Sequence, residues 1–194
     1  MSQVTKRALE ASLKNLLLQK PLNKITINDI AADCGINRMT FYYHFKDIYD
    51  LVEWCCVEDA SRVLTGKKTY ETWQQGLLQI FELVLDNKPF ILNVYRSVSR
   101  EQVEGYLYRI TYKLLEDVVE EQAQGMNVRQ EDKEFIATVY KYMFVGLMLD
   151  WIKSEMKGDP HTMVSQLDLV IHGSIRAALE RLRTDKPVLS DPQA

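Results

Sequence analysis

Glycine and proline are scarce, eight and five in 194 residues, too few for the many turns of an all-β fold. Cysteine is scarcer still. Cys34, Cys55 and Cys56 are odd in number and form no C-x-x-C pair, which argues against a disulfide framework and against a zinc ribbon. The three histidines, His44, His161 and His172, make no ligand cluster, so the thiols read as reduced, packed side chains and no metal or cofactor is expected. No apolar run nears the roughly 18 residues of a membrane span, and the opening MSQVTKRALEAS lacks the apolar core of a signal peptide. The expectation is a soluble, cytoplasmic protein with no membrane partner. Gly-rich phosphate loops, G-x-S-x-G and H-E-x-x-H are absent too, so no catalytic residues are assigned and the chain does not read as an enzyme. Cys34 with His44 is the nearest approach to a thiol nucleophile, and both fall in a segment with another task.

An excess of charge is also lacking: the formal net charge of −3 carries no global nucleic-acid signal. Its distribution is uneven. Residues 1–50 hold seven Lys/Arg against five acids, and the rest holds 17 against 22. A slightly basic head on an acidic body suits phosphate contact by the head.

What the chain does have is helical periodicity, with 46% hydrophobic and 26% charged residues, the balance of a globular protein. Nine helices are predicted and no strand. The first covers about 5–20, with Ala8, Leu9, Leu13, Leu16 and Leu17 as its stripe and Pro21 at its end. Thr26 caps the second, with Asp29 placed as the acid of a capping box, and Gly35 stops it. Asn37 caps a third helix running to about Tyr43, and the fourth spans Asp47 to about Leu64. Thr69 is read as the cap of the fifth and Pro89 as the opening of a sixth that ends at Val98. Further helices are expected at 100–123, 130–156 and 161–183, followed by a polar tail, 184–194, expected to be disordered. The fold class is therefore all-α: a head over 1–47, a larger helical body over 48–183, and a boundary within the fourth helix.

The stretch TINDIAADCGINRMTFYYHFKD is the most informative. A helix-turn-helix needs a small residue where its helices cross, a glycine in the turn, and apolar anchors to a third helix. Ala31, Gly35 and the set Ile27, Ile30, Cys34, Ile36 and Phe41 supply these, and the first helix completes a three-helix head. The residues left facing outward are polar or aromatic: Asn28, Asn37, Arg38, Thr40, Tyr42, Tyr43, His44 and Lys46. Arg38 can donate to guanine O6 and N7, and the Thr40 methyl can touch a thymine methyl. Met39 either reaches a base or packs. Thr26, Tyr42, His44 and Lys46 can bond phosphates and fix register without reading sequence. Asn37 suits a cap better than a base contact.

Thr26-Ile27-x-Asp29-Ile30-Ala31, then Gly35-Ile36-Asn37, then Thr40-Phe41-Tyr42-x-His44-Phe45 resembles the N-terminal signature of the TetR/AcrR regulators, over about residues 5–52. That resemblance implies a three-helix DNA-binding head, a helical C-terminal domain, a homodimer on operator DNA and a small-molecule pocket. One position departs from it: Ile48 stands where the family commonly has a lysine for phosphate contact, so either Lys46 substitutes or affinity is lower. The lead-in to the fourth helix, from Tyr42 to Trp54, is similar to the subgroup that regulates dihydroxyacetone kinase operons. That similarity implies activation together with a kinase-like co-regulator protein.

The helices at 130–156 and 161–183 are apolar over so wide a face that they must meet neighbours on two sides. A second subunit packed as a two-fold four-helix bundle is one solution, and a buried central helix in a monomer is the other; the family resemblance favours the dimer. Candidate effector contacts are Trp54, Trp73, Phe90, Tyr95, Tyr106, Tyr112 and Tyr140, aromatic walls with hydroxyl handles that equally suit a core. The leading expectation is a transcription regulator controlled by a small effector of unknown identity or by a partner protein. The alternative is a partner-controlled co-activator or adaptor with no pocket.

Overall fold

The computed structural model describes residues 2–64 and 72–185. Ten α-helices follow one another: α1 (Ser2–Leu17), α2 (Ile27–Asp33), α3 (Arg38–His44), α4 (Ile48–Val63), α5 (Trp73–Asp86), α6 (Lys88–Ser97), α7 (Arg100–Gln122), α8 (Gln130–Lys153), α9 (Pro160–Ile171) and α10 (Ser174–Leu182). Among the described residues there is no strand, only an isolated antiparallel bridge between Val128 and Arg183.

Two elements differ from expectation. The helix expected over 161–183 is broken at His172-Gly173. Gly173 takes φ +71°, a left-handed conformation that costs glycine little, and the chain restarts there as α10. The first helix stops at Leu17 rather than near residue 20, and a 3-10 turn at Leu22–Lys24 follows Pro21. Thr69, read as the cap of the fifth helix, lies outside the described residues, and Thr72 stands at the N-cap position of α5. Of the tail expected to be disordered, Thr184 is held by its N–H and hydroxyl to the Asn127 carbonyl, at 2.8 and 3.0 Å; residues 186–194 lie outside the description.

Three apolar clusters organise the helices. The first joins head to body: Leu9, Leu13 and Leu17 of α1 pack with Ile30, Phe41 and Phe45, with Leu51, Val52 and Cys55 of α4, and with Phe90 and Val94 of α6. The second gathers α7, α8 and α10 around Val119, Ile136 and Leu179. The third gathers α5, α8 and α9 around Phe81, Trp151 and Val164, with the Phe81 and Trp151 rings edge-on at 5.0 Å. By length and composition α8 is apolar enough to cross a membrane, and seven of its residues, Ile136 and Trp151 among them, are buried in the protein.

A charged seam closes the joint between α1 and α4. The Lys14 Nζ donates to Glu10 and to Asp59, both at 2.7 Å, and Arg62 pairs with the same two carboxylates. Glu10 is only 6% exposed. Burial works to lower the Lys14 pKa, and the hydrogen bonds to Asp59 and Glu10 outweigh it, so the ammonium is held charged. Breaking a fully buried pair costs about 3–5 kcal/mol. Here Arg62 remains and the site touches solvent, so Lys14→Met is expected to cost about 2 kcal/mol. At this chain length that lowers the melting temperature by roughly 4–8 °C in a calorimetric scan. An unchanged melting temperature would remove the seam from any account of how the head is held.

Candidate nucleic-acid interface and internal cavity

The helix-turn-helix is built from local signals that the structure shows in use. Thr26 Oγ1 accepts from the Asp29 N–H at 3.1 Å, and an Asp29 oxygen takes the Thr26 N–H at 2.7 Å, completing the capping box that opens α2. The helix ends in a Schellman turn: Gly35 takes φ +65°, its N–H reaches the Ala32 carbonyl, and the Ile36 N–H reaches Ala31 at 2.9 Å. Asn37 then caps α3 through its Oδ1, which accepts from the Met39 N–H at 2.8 Å. Ile30, Ala31 and Phe41 are buried, while Ile27, Cys34 and Ile36 are half-buried against the same cluster. Every candidate anchor thus packs where the spacing placed it.

The outward residues form one surface. Thr26, Asn28, Asn37, Arg38, Met39, Tyr42, Tyr43 and Lys46 are exposed, and Thr40 and His44 are half-exposed. Met39 and Tyr43 lie on this surface at 70% and 83% exposure. Arg38 is held rather than loose: its Nη2 donates to the Tyr42 hydroxyl at 2.8 Å one helical turn away. That contact orders the guanidinium at the start of α3, at the end a recognition helix points toward base edges. Ile48 does not face outward with this set; it is half-buried on the head cluster, so no phosphate contact is available from that position.

Beneath the head, the body forms a partly open cavity of about 250 Å³, walled by α4, α5, α6, α7 and α8, with Ile171 and Ile175 on one side. Of the aromatic candidates, Trp73, Phe90, Tyr95, Tyr106 and Tyr140 line it. Trp54 and Tyr112 do not. The Trp54 ring packs on Phe45 at 5.7 Å beneath the Lys6 ammonium, and Tyr112 lies under Lys141. What the sequence did not single out is the aliphatic majority of the wall, among them Leu77, Ile80, Leu107, Ile110 and Leu114. The polar exceptions are few: Asp59, Asn87 and Thr111, the tyrosine hydroxyls and the Cys56 thiol. Asn87 spends its amide on the Leu83 carbonyl, and Asp59 is matched by Lys14 and Arg62. Burial pushes the Cys56 thiol up to about 12, so it presents a neutral sulfur. Among the described residues no three His, Cys, Asp or Glu side chains come together as a metal site.

Comparison with known proteins agrees with this geometry. Residues 9–55 match the family described as bacterial regulatory proteins, tetR family, and residues 71–173 match a transcriptional regulator C-terminal region. The chain is 23% identical over 133 residues to the HTH-type dhaKLM operon transcriptional activator DhaS of Lactococcus lactis, covering 69% of this chain and 70% of that one. It is 24% identical to the HTH-type transcriptional regulator YerO of Bacillus subtilis, over 92% of this chain and 68% of that one. Among solved structures, a dihydroxyacetone kinase operon activator DhaS superposes with a TM-score of 0.64 at 20% identity, covering 93% and 99% of the two chains. The repressor AlkX from Dietzia, implicated in n-alkane biodegradation, superposes with a TM-score of 0.55 at 12% identity, over 91% and 98%.

One group in the helix-turn-helix is set up to respond to acid. The hydrogen bond from Lys20, at 2.9 Å, and then those from the Thr26 N–H and hydroxyl hold the Asp29 carboxyl down to about 2. A carboxylate whose pKa falls on folding stabilises the folded state above its unfolded pKa, about 4, and the effect is lost as the pH drops through the folded value. Asp29→Asn is therefore expected to flatten the fall in melting temperature between about pH 4 and pH 2, followed by circular dichroism. A slope identical to that of the unaltered chain would show that the capping carboxylate is not ionised in the way the geometry requires.

Proposed function

Since the chain belongs to the TetR family of bacterial regulatory proteins and is a DNA-binding transcription regulator, we propose that it grips a palindromic operator as a homodimer, and that an uncharged, largely apolar small molecule in the internal cavity controls that grip. The observation that carries the control is the cavity itself. Among the described residues its lining is almost wholly apolar, the one acid there is neutralised by bases, and one wall is α4, the helix that leads out of the head. A ligand that pushes on α4 alters the separation of two recognition helices, and half-sites about 34–36 Å apart tolerate little such change. Control by a partner protein, kinase-like or otherwise, would leave this cavity without a use, and for that reason the small molecule is favoured. The reading needs no metal and no cofactor, and it places the protein in the cytoplasm with its DNA.

Dimerisation is supported by the outer faces of α8 and α9. Phe135, Val139 and Tyr142 make an exposed stripe at helical spacing, and Leu169 and Val170 are exposed on α9. Large side chains gathered in this way mark an association surface. Gly146 continues the α8 stripe with open space around it, so a partner backbone can come close. Placing a charge at the centre of the stripe, Val139→Glu, is expected to shift the protein from dimer to monomer in light scattering; a dimer of unchanged mass would move the interface elsewhere.

DNA binding is tested by fluorescence anisotropy against the chain's own upstream DNA across a salt series. Arg38→Ala is expected to lose about 1–3 kcal/mol, selectively for the native sequence. Lys46→Ala is expected to weaken all sequences alike and to lower the salt slope by about one. Absence of saturable binding at low salt would move the adaptor reading to first place.

A further inference from the structure

The head is joined to the body by the chain through α4, by the shared apolar cluster and by the charged seam between α1 and α4. A further link is a side chain on α6. Asn93 Oδ1 accepts the Leu22 N–H at 3.0 Å, and Asn93 Nδ2 donates to the Leu17 carbonyl at 2.9 Å and the Lys20 carbonyl at 3.3 Å. These partners are the last residue of α1, the turn after it, and the first residue of the 3-10 turn. A helix C-terminus leaves carbonyls without partners, and here a side chain from the body supplies the donors. Ser97, one turn along α6, donates to Asn93 Oδ1 at 3.3 Å. The amide cannot be reversed: its NH₂ would then meet the Leu22 N–H, and its oxygen would meet two carbonyls.

The segment that Asn93 holds feeds straight into the DNA-binding unit. Lys20, whose carbonyl Asn93 grips, sends its ammonium to Asp29 at 2.9 Å, and Asp29 forms the capping box that opens α2. On its other face α6 is the cavity wall, through Phe90, Ile91, Val94 and Tyr95. Its position is also fixed from behind. Lys88 donates to the Glu155 carbonyl and Arg96 to the Glu155 carboxylate, both at 2.7 Å, at the end of α8. Glu155 and Met156 take left-handed φ angles of 59° and 57° there, a conformation held only where the surroundings insist on it.

We propose that Asn93 is the positioning residue through which the head senses occupancy of the cavity, a route separate from the swing of α4. It rests on the reading of the cavity as an effector site. A ligand that displaces Phe90 or Val94 carries Asn93 with it, because a helix moves as a unit over one turn. The hydrogen bonds to Leu17, Lys20 and Leu22 must then either drag the base of the head or break. Lys14 and Asp59 also join the head to the cavity wall, across α1 and α4, and the Lys14 ammonium lies over the Phe90 ring at 5.8 Å; that contact is non-directional, whereas Asn93 is hydrogen-bonded to the end of α1.

The test uses the full chain, its own upstream DNA, and N-phenyl-1-naphthylamine, an uncharged fluorescent probe, as cavity occupant. Probe affinity is read from its emission, and operator affinity from anisotropy with and without saturating probe. In the unaltered chain the probe is expected to change operator affinity about tenfold, within the usual range of allosteric coupling. Asn93→Leu is expected to bind the probe within about twofold of the unaltered chain, while the change in operator affinity shrinks below about threefold. A side chain that only stabilised the fold would alter operator affinity equally with and without probe, leaving the ratio intact. An intact ratio in Asn93→Leu therefore overturns the role of Asn93 alone. A probe that fails to bind the unaltered chain, or binds without effect on DNA, overturns the effector reading and Asn93 with it. Should Asn93→Leu not fold, Ser97→Ala removes only the bond that steadies the amide. It is expected to lower the coupling about threefold, and unchanged coupling overturns the proposal.

Discussion

One face of α1 sits in the same apolar cluster as the wall of the cavity. Leu9 and Leu13 are fully buried, with Leu17 close to it, and they share that cluster with Leu51 and Val52 of α4 and with Phe90 and Val94 of α6. Burying one such side chain contributes about 1.5–3 kcal/mol, so three of them tie the head down by more than any polar contact at the joint. The head is therefore no separate bead on a linker. Its base and the roof of the cavity are two sides of one layer of side chains, and close-packed interiors pass on small displacements instead of absorbing them.

The polar contacts at this joint do a different job from the apolar ones. Apolar packing is non-directional and tolerates some sliding, whereas hydrogen bonds and ion pairs are strict about distance and angle. Glu10, Lys14, Asp59 and Arg62 form a neutral set whose energetic gain is modest after desolvation. What the set fixes is the register of α1 on α4. Asn93 fixes the end of the same helix against α6. Between them, one helix of the head is indexed to two walls of the cavity. The interior of the cavity shows the opposite chemistry: its thiol is neutral, its acid matched, and its amide nitrogen bonded to a backbone carbonyl, so it offers an incoming molecule mostly dispersion and little charge.

Features set by neighbours in the chain were legible in the sequence. The Thr26 cap with Asp29, the glycine turn at Gly35 and the Asn37 cap each depend on residues within a few positions, and each is found in place. Most helices were legible for the same reason. The break at His172-Gly173 was not, because apolar residues continue on both sides of it and one glycine is compatible with a continuous helix. The cavity was half legible. Aromatic side chains drew attention and five of the seven reached the wall, but most of the wall is leucine and isoleucine, which at helical spacing cannot be told from core. Trp54 illustrates the failure: its helix lines the cavity, yet its own side chain faces Phe45 in the head. Asn93 had no sequence signal at all. An asparagine inside a helix normally points to solvent, and its partners lie more than 70 residues away.

The dimensions of the recognition unit explain why such small contacts can matter. With seven residues each, α2 and α3 are far below the length at which a helix is stable alone, about 12–15 residues. They hold their shape only as one block with α1, closed by Phe41, Ile30 and the Schellman turn. A block of that kind cannot bend to follow a moving support; it travels as a unit or comes apart. Two such blocks in a dimer must meet half-sites about one helical repeat apart, and the two-fold axis adds the displacement of one to that of the other. Under the proposed control, a shift at the base of α1 in each protomer would be doubled in the separation of the two blocks at the DNA. In that scheme the weak point of binding is the spacing of the two blocks and not the contacts that either one makes.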